Sequence, residues 1–128
     1  MILVDTNIIV DAMLDQSSRA GKALRLALHS GAGVNPIIMA ELAGGLKDPA
    51  AVFDVVPSEL KRLILPWAAA PIAARAFRQY RQRTDGPRTS PLPDFYIGAH
   101  AEAEGFKVLT SDKGRYKTYF PEIDILFP

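Results

Sequence analysis

Ile2-Leu3-Val4-Asp5-Thr6-Asn7 opens the chain with three apolar residues that stop abruptly at a polar triplet. A short, continuous apolar run of this kind reads as a strand buried on both faces and ending in a polar turn. Lys107-Val108-Leu109-Thr110 and Ile123-Asp124-Ile125-Leu126 have the same character, and residues 62–65 form a shorter strand candidate stopped by Pro66. Helical stretches lie between these runs. Ser17 and Ser18 suit the N-cap of a helix with apolar spacing Ala20, Ala23, Leu24, Ala27 and Leu28, closed by Gly31 or Gly33. Asn35-Pro36 and Asp48-Pro49 each join a capping residue to a proline at the first helical position. The first opens a helix carrying Glu41 that weakens at Gly44-Gly45, and the second a short helix ending before Pro57. Residues 67–83 read as a long Ala- and Arg-rich helix, 84–92 as a loop, and Pro93-Asp94 as the start of a helix that runs to Glu104 and ends at Gly105. Strands alternating with helices predict an α/β domain with a mainly parallel sheet.

The chain has 128 residues, within the range of one domain, so a single domain over 1–128 is expected. Its 48% hydrophobic and 23% charged content is that of a globular protein and excludes a disordered chain. No run of 18 apolar residues occurs, and Asp5 interrupts any secretory core, so a cytoplasmic protein is expected. Cysteine is absent, which excludes disulfide scaffolds, thiolate metal sites and cysteine nucleophiles. The net charge is only +1, too small for bulk attraction to a phosphate backbone. Five arginines (75, 78, 81, 83 and 88) nevertheless crowd one stretch in which Asp85 is the only acid. An anionic partner would be met there.

In parallel sheets, sites form beyond the carboxyl ends of the strands. Asp5 ends the first strand, Asp112 follows a later strand by two residues, Asp94 opens a helix, and Glu41 lies one to two turns into another. Carboxylates converging at one sheet edge repel one another unless a cation neutralises them. Oxygen donors without Cys or a nearby His favour Mg²⁺ or Mn²⁺ over zinc. Such an ion polarises a phosphodiester and acidifies a bound water.

Val4-Asp5-Thr6-Asn7, then Met39-Ala40-Glu41-Leu42, then Pro93-Asp94-Phe95-Tyr96-Ile97-Gly98-Ala99-His100-Ala101, then Leu109-Thr110-Ser111-Asp112 resemble, in order, the four acidic motifs of PIN-domain ribonucleases. The tail Gly114-Arg115-Tyr116-Lys117-Thr118-Tyr119-Phe120-Pro121 is similar to that of VapC-like toxins. The resemblance spans essentially the whole chain. It implies that the domain is a three-layer α/β/α sandwich, with Mg²⁺- or Mn²⁺-dependent cleavage of RNA, a VapB-like antitoxin as partner, and a homodimer. It also implies that Asp5, Asp94 and Asp112 ligate the metal, directly or through water, and that Glu41 binds through water or orients the attacking water. Thr110 matches the position whose hydroxyl steadies the first aspartate, and Asn7 would support the turn after it. Arg81, Arg83 and Arg88 border the loop before Asp94 and are candidates for RNA contact. The chain departs from the pattern at Ser111, where many relatives carry Arg or another long residue, and in its near-neutral charge.

Each residue also has a plainer reading. Asp5 suits a strand-terminal turn, Asp94 a helix N-terminus, Asp112 an Asp-Lys-Gly turn, and Glu41 a solvated helix face. His29 and His100 fit packing or surface roles better than general-base roles. Trp67, Phe77 and Tyr80 fit core packing or a subunit interface, and the arginine stretch fits either a solvated face or a contact with RNA or antitoxin. A haloacid-dehalogenase-like enzyme would need an acid where Asn7 stands, and a receiver-like phosphoacceptor a different order of acids. A catalytically silent PIN scaffold, binding metal and protein, is the alternative to the nuclease.

Overall fold

The computed structural model describes residues 1–84 and 92–128, without the side chain of Thr84. The loop expected over 84–92, including Arg88, therefore lies almost wholly outside the described residues. Five strands form one sheet: β1 (Ile2–Val4), β2 (Ala32–Val34), β3 (Lys61–Arg62), β4 (Lys107–Leu109) and β5 (Ile125–Leu126), in the order β3-β2-β1-β4-β5. Every neighbouring pair is parallel, with Leu3 facing Gly33 on one side and Val108 on the other. The helices are α1 (Thr6–Leu14), α2 (Arg19–Ser30), α3 (Pro36–Gly44), α4 (Val52–Val55), α5 (Ala69–Thr84), α6 (Pro93–Glu104) and α7 (Arg115–Tyr119). The chain runs outward from β1 to β3 through α1 to α4, and returns to β4 and β5 through α5 to α7. The helix contacts group α1 with α2 and α3, and α5 with α6 and α7, and α3 also meets α6. The architecture is the expected α/β sandwich.

Local chemistry sets several helix ends. The Ser18 hydroxyl accepts from Gly21 N–H at 3.0 Å, and Asn35 Oδ1 from Ile38 N–H at 3.0 Å, as N-cap side chains do. Helix α6 ends at Gly105, which adopts φ +70°. Three elements were not expected. Helix α1 begins where a polar turn was read, because the Asp5 carboxylate accepts from Thr6 N–H at 2.8 Å and starts a helix at once. Its sequence hides this: Ile8 and Ile9 are buried while Val10, Met13 and Leu14 are exposed, so apolar residues run all round it. Strand β2 contains Gly33, which reads as a breaker. A side chain there would place its Cβ 2.8 Å from the Lys61 carbonyl and from Leu63, so glycine lets β3 approach. Helix α7 follows the Asp112-Lys113-Gly114 turn, in a tail for which the local pattern indicates no element. Strand β3 is also displaced, pairing Lys61 and Arg62 rather than spanning 62–65.

The core is continuous across the sheet, with Leu3, Val4, Ile8, Ile38, Phe95, Ile97, Val108, Tyr116 and Phe120 fully buried. Phe77 and Tyr80 join Phe95 and Tyr119 in an aromatic cluster with ring centres 5.4–6.1 Å apart. Trp67 belongs to no core, being 94% exposed. Among the described residues no helix is long and apolar enough to cross a membrane.

Candidate metal centre

The carboxyl ends of β1 and β4 lie side by side, and the chain beyond them supplies the polar residues. Asp5 N–H donates to the Leu109 carbonyl at 2.9 Å, which extends the β1–β4 pairing to the edge of the site. The Asp5 side chain is buried, and each of its oxygens is engaged. Oδ1 accepts from Thr6 N–H. Oδ2 accepts from the Thr110 hydroxyl at 2.7 Å, the Tyr116 hydroxyl at 3.1 Å and the Asn7 amide at 3.3 Å. Asn7 also donates to Thr110 Oγ1 at 3.3 Å and accepts from Ser111 N–H at 3.1 Å, tying the start of α1 to the turn after β4.

Glu41 reaches the same place from α3, where the Thr6 hydroxyl donates to its Oε1 at 2.8 Å. Asp94 arrives from the first turn of α6. Leu92, not Asp94, is the N-cap of that helix, and Asp94 Oδ2 instead accepts from Arg115 Nη1 at 2.8 Å. The helices carrying the two acids are pinned together by a buried hydrogen bond between Asn35 Nδ2 and His100 Nδ1 at 3.1 Å. His100 is itself buried, and this contact ties α6 to the start of α3. One oxygen each from Asp5, Glu41 and Asp94 lies within 4.8 Å of the others.

Burial raises the Asp5 carboxyl above its ordinary range, and the charge of Asp94 adds to this, against the opposing pull of the bonds from Thr110, Thr6 and Tyr116. The Glu41 carboxyl is likewise raised, first by desolvation and then by Asp94 and Asp5. Tyr116, buried and facing all three acids, is held well above its usual value, so its hydroxyl stays a neutral donor. The three acids thus crowd against a single ion-pair partner among the described residues, Arg115 on Asp94. Such an arrangement suits a hard divalent cation, whose oxygen ligands and positive charge answer both the geometry and the repulsion.

Asp112 stands outside this group of three. Its Oδ1 accepts from Gly114 N–H at 3.0 Å and Arg115 N–H at 3.1 Å, and its own N–H donates to Thr110 Oγ1 at 3.0 Å. It thereby fixes the entry into α7. Arg81 and Arg83 are exposed on the last turn of α5, their guanidiniums 6.0 Å and 5.9 Å from the ring centres of Phe77 and Tyr119. Arg75 instead pairs with Glu102 at 2.9 Å. Sequence reading assigned no site role to Thr6, Arg115 or Tyr116. Tyr116 meets Asp5 across 111 residues, and no local spacing signals such a contact.

A family model described as the PIN domain matches residues 2–121. A chain in the crystal structure of VapBC2 from Rickettsia felis, bound to a DNA fragment from their promoter, superposes with a TM-score of 0.77 at 20% identity, covering 100% of this chain and 99% of that one. For DNA-bound VapBC from Salmonella typhimurium the TM-score is 0.73 at 22% identity, covering 98% and 96%. For FitAcB from Neisseria gonorrhoeae it is 0.67 at 21% identity, again covering 98% and 96%. Identities this low speak to the fold. No curated protein sequence matches.

Proposed function

The chain belongs to the PIN domain family, and from that premise we propose that it is a metal-dependent endoribonuclease, the VapC-like toxin of a toxin–antitoxin pair. The observation that carries the proposal is the convergence of Asp5, Glu41 and Asp94 at one sheet edge. Asp5 and Asp94 would hold Mg²⁺ or Mn²⁺, with Glu41 completing the group through a bound water and Asp112, outside the group of three, reaching the ion through water. When bound, the ion would polarise the phosphodiester and make a water more acidic.

The remaining work falls to the chain itself. Thr110, Tyr116 and Asn7 hold Asp5 in one orientation through its Oδ2. The hydroxyl of Tyr116 keeps its proton, so it donates to Asp5 instead of adding charge. Glu41 has Oε1 engaged by Thr6 and offers its other oxygen to orient the attacking water. Asp112 holds the first turn of α7, and with it Arg115 and Tyr116.

Exposed apolar surfaces support a protein partner of the antitoxin kind and a second copy of the chain. Phe53 and Ile64, 56% and 89% exposed, border a groove of about 640 Å³ lined by Met39, Ala43, Val52 and Leu63. A second apolar surface gathers Val10, Met13, Leu14 and Val55. An RNA target would be met in the cytoplasm.

The test is cleavage of total RNA by purified protein with Mg²⁺, with chelator, and after Asp94→Asn. The expected result is cleavage in the first case only, together with growth arrest on expression that a cognate antitoxin relieves. Mn²⁺ binding without cleavage would favour the silent scaffold. Equal cleavage with chelator, or by the variant, would overturn the metal-dependent reading.

A further inference from the structure

Arg115 is the cation that the described residues bring to the acid group, and its surroundings give it a second outlet. Its guanidinium lies 5.9 Å from the ring centres of both Tyr80 and Phe95, while Asp112 fixes its backbone N–H. Only Nη1 makes the contact to Asp94, and a guanidinium carries five N–H donors. The side chain is 34% exposed and lines an open groove of about 450 Å³ together with Arg83, Tyr80, Thr118, Tyr119 and Asp112, whose Oδ1 is held by the N–H groups of Gly114 and Arg115. Two guanidiniums, a hydroxyl and aromatic walls beside the acid group match the backbone phosphates of a single nucleic-acid strand.

We propose that Arg115 is a phosphate-binding residue that alternates between two anions: it neutralises Asp94 while the acid group holds no cation, and turns to a backbone phosphate of an RNA strand in the groove once a cation is bound. The proposal rests on the metal-dependent ribonuclease reading. It also gives Asp112 a role through α7, as the residue that positions Arg115. Arg83, 5.9 Å from the Tyr119 ring centre, supplies the second phosphate contact in the same groove.

The competition has a signed consequence. Removing the guanidinium frees Asp94 for the ion while taking a donor from the strand, so the two affinities move in opposite directions. Arg115→Gln is compared with wild type by calorimetric titration of Mn²⁺ and by fluorescence anisotropy of labelled polyuridylate in Ca²⁺. The variant should bind Mn²⁺ several-fold more tightly, and polyuridylate about tenfold more weakly for the loss of a charge-assisted bond. A purely structural residue would weaken both, and a spectator would change neither. Either result overturns the proposal, as does a wild type that ignores polyuridylate. If Arg115→Gln does not fold, Arg115→Lys carries the test. It keeps the charge but lacks the planar fork, so Mn²⁺ affinity should hold while the strand binds several-fold more weakly. Strand affinity equal to wild type would overturn the proposal. A wild type that does not bind Mn²⁺ at all would overturn the ribonuclease reading and this inference together, whereas a wild type that binds it beside a weakened Arg115→Gln overturns the inference alone.

Discussion

Glu41→Gln isolates the repulsion within the acid group better than any other single change. Glutamine keeps the shape and still accepts from the Thr6 hydroxyl, while one of three charges disappears. Unlike Asp5, Glu41 caps no helix, and unlike Asp94 it has no ion pair with Arg115. Its oxygen lies within 4.8 Å of those of Asp5 and Asp94. At that distance two unit charges repel by about 1 kcal/mol in a water-like medium and by roughly 3 kcal/mol at an effective dielectric of 20. Glu41 is the most open of the three and Arg115 offsets part of Asp94, so the lower figure, about 1 kcal/mol, applies.

In chelator at neutral pH the variant should therefore melt about 4 °C above wild type, from the usual entropy of unfolding per residue. The pH dependence follows from the direction of the shift. The folded state holds the Glu41 proton more tightly than the unfolded state does, so this group favours folding in acid and loses that contribution as pH rises through its folded value. The gap between the two proteins should close in acid and open toward neutrality. Mn²⁺ at a hundred times its dissociation constant should add about 2.7 kcal/mol to wild type, or about 10 °C, and much less to the variant. Thermal melts across pH, each with chelator and with Mn²⁺, measure all of this. A variant less stable than wild type at every pH, beside a wild type indifferent to Mn²⁺, would refute the reasoning.

Two further substitutions probe how the site is held. Gly98→Ala would set a Cβ 2.4 Å from the buried Phe120 ring, so a loss of about 1–3 kcal/mol is expected in denaturant melts; an unchanged midpoint would show that α6 and α7 are not packed this closely. Tyr116→Phe removes one donor from the buried Asp5 carboxylate and should cost about 1 kcal/mol in the metal-free protein, with wild-type stability counting against that bond.

The residues show where local information suffices. Ser18, Asn35-Pro36 and Asp48-Pro49 begin their helices because a side-chain oxygen meets an N–H two or three residues ahead, an interaction contained in the sequence itself. Gly105 ends α6 for the same kind of reason. Helix α1 and strand β2 escaped detection because their signals come from outside them. A helix apolar all round has no periodic face, and Gly33 is explained only by the neighbouring strand.

The candidate site divides along the same line. Asp5 and Asp94 could be named as acids at a strand end and a helix start, and Glu41 as an acid one to two turns into a helix, and the ordered motifs added the expectation that they act together. Their grouping within 4.8 Å, without Asp112, depends on where α3 and α6 cross the sheet edge. That crossing is set by the Asn35–His100 bond and by packing such as Gly98 against Phe120. The roles of Arg115 and Tyr116 were decided by tertiary structure alone. Each meets its acid only after a five-residue helix folds back from the far end of the chain, and contacts across 21 and 111 residues leave no trace in local pattern. Capping and turn formation act within a few residues and can be read from the sequence. The charge balance of the acid group acts through space, and only the assembled sheet defines it.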